Sequence, residues 1–360
     1  MRYSRVVLMG LCLALSGGIV LPLSAPVQAQ SQANSERLFK LFQEGKKLVE
    51  QKDLPAALTK YQQAAQLDSK NARIFSAIGY IQAKLGEYDE AAKAYRQAIA
   101  IDGKDANFHY ALGYSLGNTG DNEGAAEAYR QAVQLNPKNL KALEGLGVIQ
   151  SRQKDFEGAV ETFNKIVAIA PKDWQAHDAK GRILLQQDQL PEAIAAFQEA
   201  SKLSPNTGDI QINIAMAYLR QGKVTEGLAA LESAASLDPR NSRVHYRIGQ
   251  LLSQQSQLDE AMASYRKALQ FEPRYADALI GQGDIERSRG NDLAAVVAYR
   301  QAINADSQKP EAHYSLGLAL IERDRKEEAI KALKMARQLY QKQGNRDAIE
   351  KTDEALEQLE

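Results

Sequence analysis

Cysteine is nearly missing from these 360 residues, and the single copy, Cys12, sits in an apolar N-terminal stretch. The rest of the chain can form no disulfide and offers no thiol nucleophile, so its stability has to come from packed secondary structure. Met9-Gly10-Leu11 ahead of Cys12 lacks the small residue that precedes the cysteine of bacterial lipoprotein signals, which argues against a lipid anchor. Asn-x-Ser/Thr is absent, a point for a bacterial envelope over a eukaryotic secretory route. An excess of either charge is absent too: 45 basic residues face 45 acidic ones. That balance argues against nucleic acid and against an anionic membrane surface, both of which need clustered positive charge. No glycine-rich phosphate loop opens a helix after a strand, and no pair of carboxylates is singled out by its neighbours. Composition therefore points away from an enzyme, and implies neither a metal nor a cofactor.

What is present is periodic. Gly45, Gly79, Gly113, Gly147, Gly181, Gly249, Gly283 and Gly317 share a 34-residue ruler, and Ala215 fills its one vacancy. Twelve residues later a second ruler runs through Ala57, Ala91, Ala125, Ala159, Ala193, Gly227, Ala261, Ala295 and Ala329. Four further on stands a bulky residue (Tyr61, Tyr95, Tyr129, Phe163, Phe197, Leu231, Tyr265, Tyr299, Leu333), and three beyond that a small one in every copy but the fourth, which has Ile166. With Leu38 as position 1, apolar or small residues favour positions 4, 7, 8 and 11, then 20, 24 and 27, which is one face on each of two helices. Each unit is a helical hairpin. Turn residues such as Gly86, Asn118-Thr119-Gly120 and Gly222 divide its helices, and Pro137, Pro171, Pro205, Pro239 and Pro273 divide one unit from the next.

Glycine within a helix costs about 1 kcal/mol relative to alanine, so its recurrence at position 8 calls for a compensating contact. Close approach of the two helices, covered by the bulky residue at 24, supplies one. Gly147→Leu should therefore do more harm than its helix propensity suggests.

A 34-residue helical hairpin with small residues at 8, 20 and 27, an aromatic at 24 and proline at 32 resembles the tetratricopeptide repeat, from Leu38 to Gln341. The resemblance implies an all-α fold, a right-handed α-solenoid superhelix of helix-turn-helix repeats, nine in number. The sixth copy departs most, at Ala215, Gly227 and Leu231, and its packing is expected to be the softest.

Residues 1–29 read as an export signal: Arg2 and Arg5, an apolar run from Val6 to Val20, and a small-residue cleavage site ending Val27-Gln28-Ala29. A retained membrane anchor is the other reading, but the run is short and broken at Ser16-Gly17-Gly18. The mature chain is expected to begin at Gln30, with a net formal charge of −2 once Arg2 and Arg5 are gone, and to work in the periplasm or an equivalent lumen. A polar lead follows over 30–37, then the repeats over 38–341. Residues 342–360 place Ala348, Ile349, Ala355, Leu356 and Leu359 on one helical side, as expected of a helix covering the open end of the stack. A partner-binding tail is the alternative.

His109, His177, His245 and His313 recur every second repeat at position 4. Ligands bind a metal at about 2 Å, and a whole hairpin separates successive histidines, so they read as packing residues with a polar edge. The informative surface is the opposite face of each first helix, positions 2, 5, 6, 9 and 13. By resemblance it lines the concave groove where peptides or partner proteins lie. It carries Phe39, Phe42, Tyr80, Tyr110, Tyr114, Tyr246 and Tyr314. Aromatics suit contact surfaces, although those at position 5 can equally pack on a neighbouring repeat. Asn213, Arg243 and Arg247 stand where family members that grip a C-terminal carboxylate place asparagine and two basic residues. Asp178 and Arg182 depart from that pattern, and Asp178 is expected either to repel such a ligand or to pair with Arg182.

The sequence thus implies a non-enzymatic scaffold that binds a protein or peptide. A regulatory or assembly subunit of an envelope enzyme, or of a pilus, cell-wall or outer-membrane machine, would carry the same features.

Overall fold

The structure, a computed structural model, describes residues 25–359 and divides into two compact units. The expected export segment lies outside the described residues as far as Ser24. Helix α1 begins at Ala25, so the expected polar lead is helical rather than a separate element.

The first unit holds α1 (Ala25–Glu50), α2 (Leu54–Leu67), α3 (Ala72–Leu85), α4 (Tyr88–Ile101), α5 (Ala106–Thr119) and α6 (Asn122–Leu135). The second holds α7 (Leu140–Arg152), α8 (Phe156–Ile169), α9 (Trp174–Gln186), α10 (Leu190–Leu203), α11 (Gly208–Arg220), α12 (Val224–Leu237), α13 (Ser242–Gln254), α14 (Leu258–Phe271), α15 (Ala276–Ser288), α16 (Asp292–Ala305), α17 (Pro310–Glu322), α18 (Lys326–Gln343) and α19 (Arg346–Glu357). No strand occurs among the described residues. Odd and even helices pair as hairpins, and within each unit every hairpin stacks on the next.

The helices stop and start where local chemistry tells them to. All nine hairpin turns place a residue of positive φ at position 15 of the repeat: glycine at 86, 120, 222 and 290, and Lys52, Lys154, Asp188, Ser256 and Asp324 in the others. That conformation ends a helix, and a side chain there costs about 1–2 kcal/mol. The following helix is often capped by an aspartate: Asp53, Asp121 and Asp155 accept from the backbone N–H groups of Ala56, Gly124 and Gly158.

The small-residue rulers are the hairpin seams. A Cβ added to Gly79 would stand 2.9 Å from the Tyr95 ring, and one on Gly181 would stand 2.6 Å from the Phe197 ring. The same holds at every position-8 glycine against the position-24 residue of its own hairpin. The alanines at 20 and 27 are correspondingly sealed; Ala91, Ala98, Ala193 and Ala200 expose no surface. In the second unit the junction of α12 with α13 is the thinnest contact between successive hairpins, at the copy whose seam residues depart from the pattern.

Helix α18 runs on to Gln343, so the covering helix starts at Arg346 rather than Lys342. Thr352, Ala355 and Leu359 are buried there, the latter two in one cluster with Leu333, Leu320 and Tyr299. Among the described residues no helix is long and apolar enough to cross a membrane.

Candidate partner-binding site

Exposed apolar side chains are unevenly distributed, and position 9 of the first helices collects them. In the first unit Tyr80 and Tyr114 stand 47% and 44% exposed, with Phe39 at position 2 also open. In the second, Val148 and Met216 do the same. Sequence reasoning had passed over these two, although the position-9 column was there to find them. The second helices turn charge outward instead, as with Asp89 and Lys93 on α4 or Glu157 and Glu161 on α8. Departures there are Leu293 and Val297 on α16 and Met335 on α18; the other large exposed apolar residues are the last residues of their helices. Water-facing apolar surface is retained on the first-helix faces although burial is worth about 25 cal/mol per Å².

The tyrosines at position 5 behave differently from those at 9. Tyr110, Tyr246 and Tyr314 are half-buried. Tyr110 packs on Tyr129 of its own hairpin, with ring centroids 6.0 Å apart. Tyr246 lies between Tyr265 and Tyr275, at 6.0 and 5.1 Å, and burial raises its hydroxyl pKa above the ordinary value. Packing thus accounts for Tyr110 and Tyr246, while Tyr80 and Tyr114 carry the open surface, Tyr114 with one edge on the Tyr88 ring at 6.1 Å.

The polar candidates split in two. Asp178, buried at position 5 of its repeat on α9, accepts from Asn213 Nδ2 at 2.8 Å and pairs with Arg182 Nε at 3.0 Å. Arg182 and Asn213 are therefore engaged by a carboxylate of the protein itself. Arg243 and Arg247 are exposed and line a cavity of about 520 Å³ between α11 and α13, with Ile212, Met216, Leu219 and Leu251. Further along, Asp284 at position 9 of α15 accepts from the Tyr299 hydroxyl at 2.7 Å.

Each of the four histidines sits with Nε2 against a backbone carbonyl six residues earlier, at Gly103, Pro171, Pro239 and Ser307, between 2.8 and 3.3 Å. A carbonyl only accepts, so Nε2 carries the proton and the ring ties the inter-hairpin loop to the first helix. Among the described residues no cluster of three or more His, Cys, Asp or Glu side chains has the arrangement of a metal site.

Three family models match the chain, all describing this repeat. A tetratricopeptide repeat family matches residues 110–174 and 212–276, a TPR repeat family matches 45–86, 81–120, 181–222 and 283–324, and a further tetratricopeptide repeat family matches 311–343. No curated protein matches. Among solved structures, YrrB, a TPR protein with an unusual peptide-binding site, is 21% identical, over 52% of this chain and 97% of its own, with a TM-score of 0.44. A MamA protein is 25% identical over 48% and 95%, with a TM-score of 0.45. PilF of Pseudomonas aeruginosa is 20% identical over 57% and 94%, with a TM-score of 0.47. With hairpins on a constant 34-residue period, small-residue seams and repeat models matching most of residues 45–343, the chain belongs to the tetratricopeptide-repeat family, a fold that serves in general as a non-enzymatic scaffold for binding peptides and proteins.

Proposed function

We propose that the chain is an exported scaffold of the bacterial envelope that holds an extended segment of a partner protein along its first-helix faces. The observation that carries this reading is the placement of Tyr80, Tyr114, Val148 and Met216 at one register position, each open to water on the face not used for hairpin packing. Aromatic side chains provide large contact area at low conformational cost, and the flexible Met adapts to varied partners. The balanced charge and the absence of a cysteine beyond Cys12 fit an exported binding protein. The basic, apolar and small-residue order of residues 1–29 supports the export step.

Photo-crosslinking residues placed at Val148 and Met216 of the second unit, with controls at Glu157 and Glu161 on its second helix α8, test the binding face in cells. The expected result is one shared partner captured from the first pair and not from the controls. Capture confined to the controls would refute it. Periplasmic recovery of the tagged chain with an N-terminus at Gln30 is expected of export; a cytoplasmic chain that keeps Met1 would remove that part of the reading.

A further inference from the structure

Ala215 and Leu231 make the sixth repeat the one copy of the second unit in which neither the glycine nor the ring of the seam is kept while the next repeat keeps both. One repeat later the ring has two contacts. Tyr265 lies against Gly249 of its own hairpin and reaches Gly281 on the next first helix, so near that a Cβ at either glycine would stand 2.7 or 2.5 Å from it. Leu231 is too short for the second contact. The space persists as the cavity of about 520 Å³ between α11 and α13, and Arg247 occupies the register position that Gly281 holds in the next repeat.

The lining of this notch has a sign. Its wall brings Arg220, Arg243 and Arg247 together with a single carboxylate, Asp209. Arg220 donates to the Leu185 carbonyl at 2.8 Å, and Arg247 to Gln250 at 3.0 Å while lying 6.0 Å over the Tyr246 ring. Among the described residues neither Arg243 nor Arg247 makes an ion pair. Guanidiniums beside an apolar recess suit a carboxylate next to a bulky side chain. Asp178 then bears on which carboxylate. It engages Asn213 and Arg182, neither of which lines the notch, so the donors left facing the notch are the side-chain guanidiniums of Arg243 and Arg247.

We infer that this notch takes an internal segment of a partner, with a bulky apolar side chain inserted between α11 and α13 and a neighbouring Asp or Glu side chain on Arg243 and Arg247. The inference rests on the groove reading above and specifies its ligand.

The test is selection of a random twelve-residue library, held between two fixed flanking domains so that no insert has a free terminus, on the full chain. Expected is enrichment of an apolar residue with adjacent acidic residues. An enriched segment should bind about ten-fold or more weaker to Arg243→Ala plus Arg247→Ala, and equally weaker to Ala215→Gly plus Leu231→Tyr, which restores the regular seam and fills the recess; ten-fold corresponds to about 1.4 kcal/mol. Retained helicity and melting temperature in the second variant show that the loss is not unfolding. Enrichment of no motif, or of one indifferent to both pairs of substitutions, overturns the notch, as does binding that requires a free C-terminal carboxylate. Failure of the first-helix-face reading shows separately, as crosslinks confined to the second helices.

Discussion

The seam predicts that the most helix-favouring small substitution, glycine to alanine, will destabilise this protein at position 8. Gly181 is the sharpest place to ask. Alanine there gains about 1 kcal/mol in helix propensity. Its Cβ, however, would stand 2.6, 2.7 and 3.0 Å from Cε1, Cδ1 and Cγ of Phe197, a ring with no exposed surface and so no room to turn aside. Forcing a methyl into a filled core costs about 1–3 kcal/mol. With three ring atoms involved, including the ring's root, the upper part of that range applies and the net loss is about 1–2 kcal/mol. Phe197→Leu alone should lose about 2 kcal/mol through buried carbon removed. The two together should be less harmful than their sum by about 1–2 kcal/mol, because a leucine relieves part of the clash: Leu231 accommodates Ala215, whereas Leu333 would still stand 2.6 Å from a Cβ at Gly317. Ala215 facing Leu231 is the protein's own version of that double substitution. A repeat stack need not unfold in one step, so the readout is native-state hydrogen exchange over α9 and α10, with α17 and α18 as internal reference. Additivity within about 0.5 kcal/mol, or a Gly181→Ala variant more protected than the parent, would refute the close-approach account.

Further expectations follow from the same geometry. Lys154→Gly, Asp188→Gly and Ser256→Gly each relieve a positive φ and should raise stability by about 0.5–1 kcal/mol, read as higher urea midpoints; lower midpoints would mean that these side chains make contacts worth more than the strain. Deleting the chain after Gly344 uncovers the surface against which Ala355 and Leu359 pack, and should lower exchange protection in α17 and α18 while leaving α7 to α10 unchanged. Asp178→Ala releases Asn213 and Arg182, so a peptide with a free C-terminal carboxylate should gain about ten-fold in affinity over its amide; equal binding of acid and amide would count against the account of this cluster.

Much of the fold was legible because a solenoid repeats one local solution. Each seam lies within one hairpin, sixteen residues apart, as at Gly79 and Tyr95, so a short stretch of sequence carries both partners. The chemistry of the candidate site was harder to read. Arg182 and Asn213 fit the pattern of a clamp by position, but Asp178 and Asn213 are 35 residues apart, and their hydrogen bond depends on how one hairpin sits on the next. Tyr246 at position 5 was open in sequence to either groove contact or packing; only the surrounding rings show it wedged between Tyr265 and Tyr275, while Tyr114 at position 9 meets one ring, Tyr88 at 6.1 Å, and stays 44% exposed.

Sequence by itself determined the hairpins, their length and their seams, because side-chain size at close backbone approach acts over a single turn or two of neighbouring helix. Tertiary structure alone decided which polar groups are spent internally and where Leu231 falls short of the next helix. Those outcomes depend on distances between hairpins, and no spacing rule within one repeat encodes them.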